Sequence, residues 1–121
     1  MATQKTVLVV DDSRMTRMMI RKIIEAHYPD WEILEAEDGN KALEISDGKN
    51  IDIMTLDVNM PGMDGLTLAG EMRKRFPNAD ISLVTANIQD SIKQKAHEAH
   101  LAFVPKPITE ERLMGYIQAV A

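Results

Sequence analysis

Five times along this chain a short apolar run gives way to residues spaced as on a helix, and that alternation limits the fold more than any single motif. Thr6 to Val10 (TVLVV) is an unbroken run rich in β-branched residues, as in a strand buried on both faces. From Ser13 the pattern turns helical, with Met15, Met19 and Ile23 on one stripe, Ser13 placed to cap the segment and Pro29 to end it. Glu32 to Ala36 (EILEA), Ile51 to Leu56 (IDIMTL), Ile81 to Val84 (ISLV) and Leu101 to Val104 (LAFV) read as the further strands. Lys41 to Ile45 sits in a short helix. Leu68, Ala69, Met72 and Phe76 mark a helix stopped by Pro77. Ile92, Ala96 and Ala99 stripe the next, and Leu113, Ile117 and Val120 the last. This order predicts an α/β fold, a parallel sheet with helices on both faces. Such sheets bind ligands beyond the carboxyl ends of their strands, near the point where strand order reverses.

Composition narrows the partners. A chain of 121 residues fits one domain, here taken as 1–121, and buries roughly two thirds of its unfolded surface. The formal net charge of -5 argues against nucleic acid or an anionic membrane as the main partner. The chain has no cysteine, which excludes disulfides, thiolate metal sites and cysteine nucleophiles. Val7 to Val10 is too short an apolar run for a signal peptide or a membrane span, so a cytoplasmic protein is expected.

The residues that follow the strands carry the chemistry. Asp11 and Asp12 follow the first strand, Asp57 the third, Thr85 and Ala86 the fourth, and Lys106 and Pro107 the fifth. Each has an ordinary explanation alone: acids favour a helix N-terminus, an Asp begins a turn, a Thr caps a helix, a Lys is solvated. Together they bring three carboxylates, a hydroxyl and an ammonium to one sheet edge. The carboxylates repel each other and raise each other's pKa if unpaired. One divalent cation and Lys106 balance their charge. Oxygen ligands without His or Cys suit Mg²⁺, which the adjacent pair Asp11 and Asp12 is the better placed to hold, beside Asp57. Mg²⁺, lysine and a hydroxyl form a phosphoryl-binding set. The expected reaction is attack by a carboxylate oxygen on phosphorus, with Asp57 as nucleophile because it stands alone on the central strand. Asp64 is read instead as the start of the third helix, with Gly62 and Gly65 shaping the turn.

At these residues the chain resembles the receiver domains of two-component response regulators. "VLVVDDS" (7–13), "LDVNMPGMDG" (56–65), "TA" (85–86) and "KP" (106–107) stand in the family's order and spacing and cover nearly the whole chain. The resemblance is to stand-alone, CheY-like regulators, and a single receiver domain without an output domain is expected. It implies a flavodoxin-like (βα)5 three-layer sandwich with strand order 2-1-3-4-5. It makes Asp57 the acceptor of a phosphoryl group from a histidine kinase or phosphotransfer protein. Asp12 would bind Mg²⁺ directly, Asp11 directly or through water, and Asn59 through its backbone carbonyl. Thr85 and Lys106 would contact the phosphoryl oxygens, Ala86 would leave them room, and the Lys106–Pro107 bond is often cis in this family. Phe103 matches the switch aromatic coupled to Thr85, on the usual partner surface formed by the fourth helix, fifth strand and fifth helix. The output would be another protein, as in chemotaxis, and the chain would be no enzyme beyond its own phosphorylation and dephosphorylation. A monomer is expected, although related regulators dimerise through the last helix.

The same site residues would serve a phosphorelay intermediate or phosphate sink. A non-phosphorylated scaffold and a Mg²⁺-dependent phosphohydrolase are the competing classes. The latter is disfavoured because Asp11-Asp12-Ser13 departs from the Asp-x-Asp of such enzymes. Family members often have Gly-Ala where this chain has Ala99 and His100, and Pro105 beside Lys106 is less usual; His100 is read as a surface residue. Asn59 and Asn87 occupy positions that tune phosphoryl lifetime in this family. Met15, Met18 and Met19 are expected to pack in the core. Arg14, Arg17, Arg21 and Lys22 form a solvated basic side where a kinase could dock. Trp31 is expected to be half buried.

Overall fold

The computed structural model describes residues 4–121, so the first three residues of the expected domain lie outside the described ones. The elements alternate: β1 (Thr6–Val10), α1 (Arg14–His27), β2 (Glu32–Ala36), α2 (Gly39–Ser46), β3 (Ile53–Leu56), α3 (Gly65–Arg75), β4 (Asp80–Thr85), α4 (Asp90–Glu98), β5 (Ala102–Pro105) and α5 (Glu110–Val120). All pairings are parallel, in the order β2-β1-β3-β4-β5. The chain runs outward from β1 to β2 and then returns to the other side of β1, so strand order reverses between β1 and β3. The expected fold and strand order are both observed.

The two-residue repeat of a strand divides the core. Leu8 and Val10 point to one face, where Met54, Leu56, Ile81 and Leu83 meet Ala42 of α2, Leu68 and Met72 of α3 and Ala96 of α4. Val7 and Val9 point to the other, against Ile20 and Ile24 of α1 and Leu113, Met114 and Ile117 of α5. Side chains start four of the five helices. Ser13, Asp38, Asp64 and Thr109 accept from the backbone N–H of Thr16, Lys41, Thr67 and Arg112. Gln89 makes no such bond at the start of α4, whose one buried residue is Ala96.

The structure departs from the sequence reading in several places. The buried stripe of α1 is Ile20 and Ile24, while Met15 is 72% exposed and Met18 and Met19 are also exposed. These methionines therefore form a surface, not core. β3 begins at Ile53 rather than Ile51; the Asp52 carboxylate accepts the Thr6 N–H at 2.9 Å, and Ile51 is buried all the same. Trp31 is buried rather than half exposed, stacked on Tyr28 with ring centroids 3.9 Å apart. His100 lies on the surface as expected, but with φ 57°.

Candidate functional site

The site forms where β1 and β3 end side by side. The Asp57 N–H donates to the Val10 carbonyl at 3.0 Å, and the Asp11 N–H to the Ala36 carbonyl at 3.1 Å. Both acids are thus fixed by their backbones at the sheet edge. Asp11 is 1% exposed and Asp57 6%, while Asp12 faces solvent. Oxygens of the three carboxylates lie within 4.8 Å of one another.

Lys106 reaches into this cluster from the β5–α5 loop. Its Nζ lies 2.8 Å from Asp11 Oδ2 and 3.4 Å from Asp57 Oδ2. The Lys106–Pro107 bond is cis, as the family resemblance implies. Pro105 does not break the strand pairing, because the Lys106 N–H donates to the Thr85 carbonyl at 2.9 Å. Arg112 braces the loop from α5 by donating to the carbonyls of Pro105 and Pro107.

Burial and charge compete here. Burial pushes the Asp11 carboxyl above the usual carboxylate range, and the neighbouring Asp57 charge adds to it. The Lys106 ammonium and the Ser13 N–H, 2.9 Å from Asp11 Oδ1, pull it back only in part. Burial alone would lower the Lys106 pKa, but Asp11 and Asp57 outweigh it and hold the ammonium charged. A net negative pair of acids that one lysine does not neutralise is a donor set that fits a hard divalent cation.

Thr85 is the last residue of β4 rather than the first after it, and it is buried. Its Oγ1 accepts from the Asn87 N–H at 3.1 Å, which leaves the hydroxyl hydrogen free to donate elsewhere. Asn59, Ala86, Asn87, Ile88 and Gln89 line a hollow of about 450 Å³. Phe103 is half-buried against the α2–α3–α4 core, with Lys93 Nζ 5.9 Å from its ring centroid. Thr85 and Phe103 share a sheet face, since Leu83 pairs with Phe103 and Thr85 with Pro105. All the strand-end residues singled out in the sequence therefore fall at one edge.

Two features went unread in the sequence. Arg17, taken as part of a solvated side, is only 14% exposed and donates to the Asp11 carbonyl. Gly65 does more than shape a turn: a Cβ there would fall 2.1 Å from the Asp57 carbonyl oxygen. The turn itself is made by Gly62, at φ 76°.

The family model for the response regulator receiver domain matches residues 7–118. The chemotaxis protein CheY of Listeria monocytogenes is 33% identical over 120 residues, covering 94% of this chain and 96% of that protein. A cyclic di-GMP phosphodiesterase of Thermotoga maritima is 33% identical over 109 residues, 89% of this chain, but the match spans only 28% of that longer protein. Among solved structures, the response regulator TrrA of Thermotoga maritima, in complex with Mg²⁺-BeF, superposes with a TM-score of 0.83 at 32% identity, covering 98% of this chain and 100% of that one. The chain belongs to the response regulator receiver domain family.

Proposed function

We propose that this receiver domain accepts a phosphoryl group on Asp57 from a histidine kinase or phosphotransfer protein and thereby switches its binding to an output protein. The observation that carries the reading is the convergence of Asp11, Asp12, Asp57 and Lys106 at the switch point of the sheet. An Asp57 oxygen attacks phosphorus as the donor's N–P bond breaks, and the bonding pair returns to the imidazole ring. Asp11, Asp12, Asp57 and the Asn59 carbonyl would hold Mg²⁺, which would supply positive charge beside the phosphoryl oxygens. Lys106 shifts from the carboxylates to a phosphoryl oxygen, and its raised pKa keeps it charged for that role. Thr85 donates its free hydroxyl hydrogen to another, and small Ala86 leaves the group room. Movement of Thr85 is passed to Phe103 on the same sheet face, which alters the α4–β5–α5 surface. α4 suits a switch, since it has the fewest buried residues of the helices.

The kinase or phosphotransfer partner docks over α1, where Met15, Met18 and Met19 lie exposed beside the site. Flexible thioether side chains adapt to several partner surfaces. Stand-alone action as a monomeric cytoplasmic regulator, of the chemotaxis kind, is supported by the near full-length match to a CheY. Among the described residues no helix is long and apolar enough to cross a membrane.

Intact mass after incubation with acetyl phosphate tests the reading. One phosphoryl group is expected on the wild type with Mg²⁺, and none without metal or in Asp57→Ala. A wild type that gains nothing would point to a scaffold that takes no phosphate.

A further inference from the structure

We infer that Arg17 is a positioning residue for the acidic site: it fixes the peptide that joins Asp11 to Asp12 and so sets the affinity for a divalent cation. This rests on the proposed function only in taking the acids as cation ligands, and its test involves no phosphorylation.

The three acids are not held alike. Asp11 is fixed at both ends of its side chain, by the Ser13 N–H and by Lys106. Asp57 is buried at the end of a central strand. Asp12 is exposed, and among the described residues its side chain has no hydrogen bond or ion pair. Its carboxylate can be placed only through its backbone. A peptide unit is a rigid plane, so fixing the Asp11 carbonyl also fixes the direction of the Asp12 N–H. Arg17 Nη1 donates to that carbonyl at 2.5 Å.

Arg17 is itself clamped. Its Nε donates to Glu35 Oε1 at 3.2 Å, and Arg21 Nε takes the other Glu35 oxygen at 2.7 Å. Arg21 Nη2 reaches the Ile33 carbonyl at 2.8 Å. The β2 edge thus holds a guanidinium whose planar fork bonds a carboxylate and a carbonyl at once, which an ammonium does less well.

The sign of the effect separates this role from simple electrostatics. Removing a cation near three carboxylates should tighten Mg²⁺ binding by Coulomb attraction alone. Losing a positioning group should weaken it, typically by about 10-fold or more for a partner one step from the ligands.

The experiment is calorimetric titration of Mg²⁺ into wild type, Arg17→Met, Arg17→Lys and Arg21→Met, with circular dichroism of each. Arg17→Met keeps the aliphatic stem that packs on the surface. Its affinity is expected to fall about 10-fold, with Arg17→Lys between it and wild type. Arg21→Met, which loses a bond to the same Glu35 but none to Asp11, is expected to bind as wild type does. Unchanged or tighter binding by Arg17→Met would overturn the inference. So would an equal loss in Arg21→Met, or an Arg17→Met that does not fold, since either makes Arg17 a residue of the scaffold. A wild type that binds no Mg²⁺ would defeat the cation reading together with this one; normal wild-type binding and an unaffected Arg17→Met would defeat this one alone.

Discussion

Gly65→Ala should damage the protein from a position where alanine ordinarily helps. Gly65 opens α3, and its N–H donates to the Val58 carbonyl at 3.0 Å. An added Cβ would lie 2.1 Å from the Asp57 carbonyl oxygen, 2.8 Å from its carbonyl carbon and 3.0 Å from Val58 Cα. All three are backbone atoms, so no rotamer change relieves the clash. Restoring van der Waals separation needs a shift of about 1 Å, in α3 or in the strand end that carries Asp57. Overpacking of this kind costs about 1–3 kcal/mol, and backbone against backbone belongs at the upper end. Gly70 supplies the internal control. It lies in the same helix, and a Cβ there would meet nothing within 4 Å. Gly70→Ala should therefore gain about 0.5–1 kcal/mol from helix propensity alone. At this chain length 1 kcal/mol moves Tm by about 4 °C. Thermal unfolding followed by circular dichroism should show Gly65→Ala about 10 °C below wild type and Gly70→Ala about 2–4 °C above it. If both variants melt at or above the wild-type temperature, the close approach of α3 to the Asp57 peptide is wrong.

Two further predictions concern residues away from the site. His100 holds φ 57°, a left-handed conformation that disfavours any side chain, so His100→Gly should stabilise by up to about 1 kcal/mol in urea unfolding while His100→Ala gains nothing. Burial pushes the Tyr116 phenol well above its ordinary value of 10.0, Asp80 adds to this, and Arg73 oppositely charged beside it does not compensate. Ser82 lies near enough to favour ionisation, yet its hydroxyl donates to the Met54 carbonyl and no hydrogen bond of good geometry reaches the phenol. The folded state then keeps a proton that the unfolded chain releases near pH 10. Stability should fall by about 1.4 kcal/mol per pH unit above that point. Tyr116→Phe should abolish this added slope and cost little at pH 7; a wild type and a variant with parallel urea midpoints from pH 8 to 11 would contradict it.

The fold was legible because the strand pattern and the helix pattern never compete for the same residues. TVLVV leaves no helical phase, and the caps at Ser13 and Asp64 stand where the periodicity changes. The phase of α1 was not legible. Met15, Met18, Met19, Ile20, Ile23 and Ile24 surround most of the helix, so several stripes fit the spacing equally well. Only the meeting with Leu113 and Ile117 of α5 selects Ile20 and Ile24 and turns the methionines outward. Spacing counts residues along one helix; which side of that helix meets the sheet is decided by its neighbours.

The site was legible for a related reason. Topology carries every strand end of a parallel sheet to one edge, so Asp11, Asp57, Thr85 and Lys106 needed no long-range contact to be predicted as neighbours. Arg17 did need one. Nothing in the local sequence separates it from Arg14 or Lys22, and an arginine on a helix is solvated by default. What withdraws it is Glu35, eighteen residues later on the edge strand, already paired with Arg21. Residues that act at a strand's end are thus written in the strand's own sequence. Residues that aim them are written in whichever element packs alongside, and become visible only when two elements have been placed.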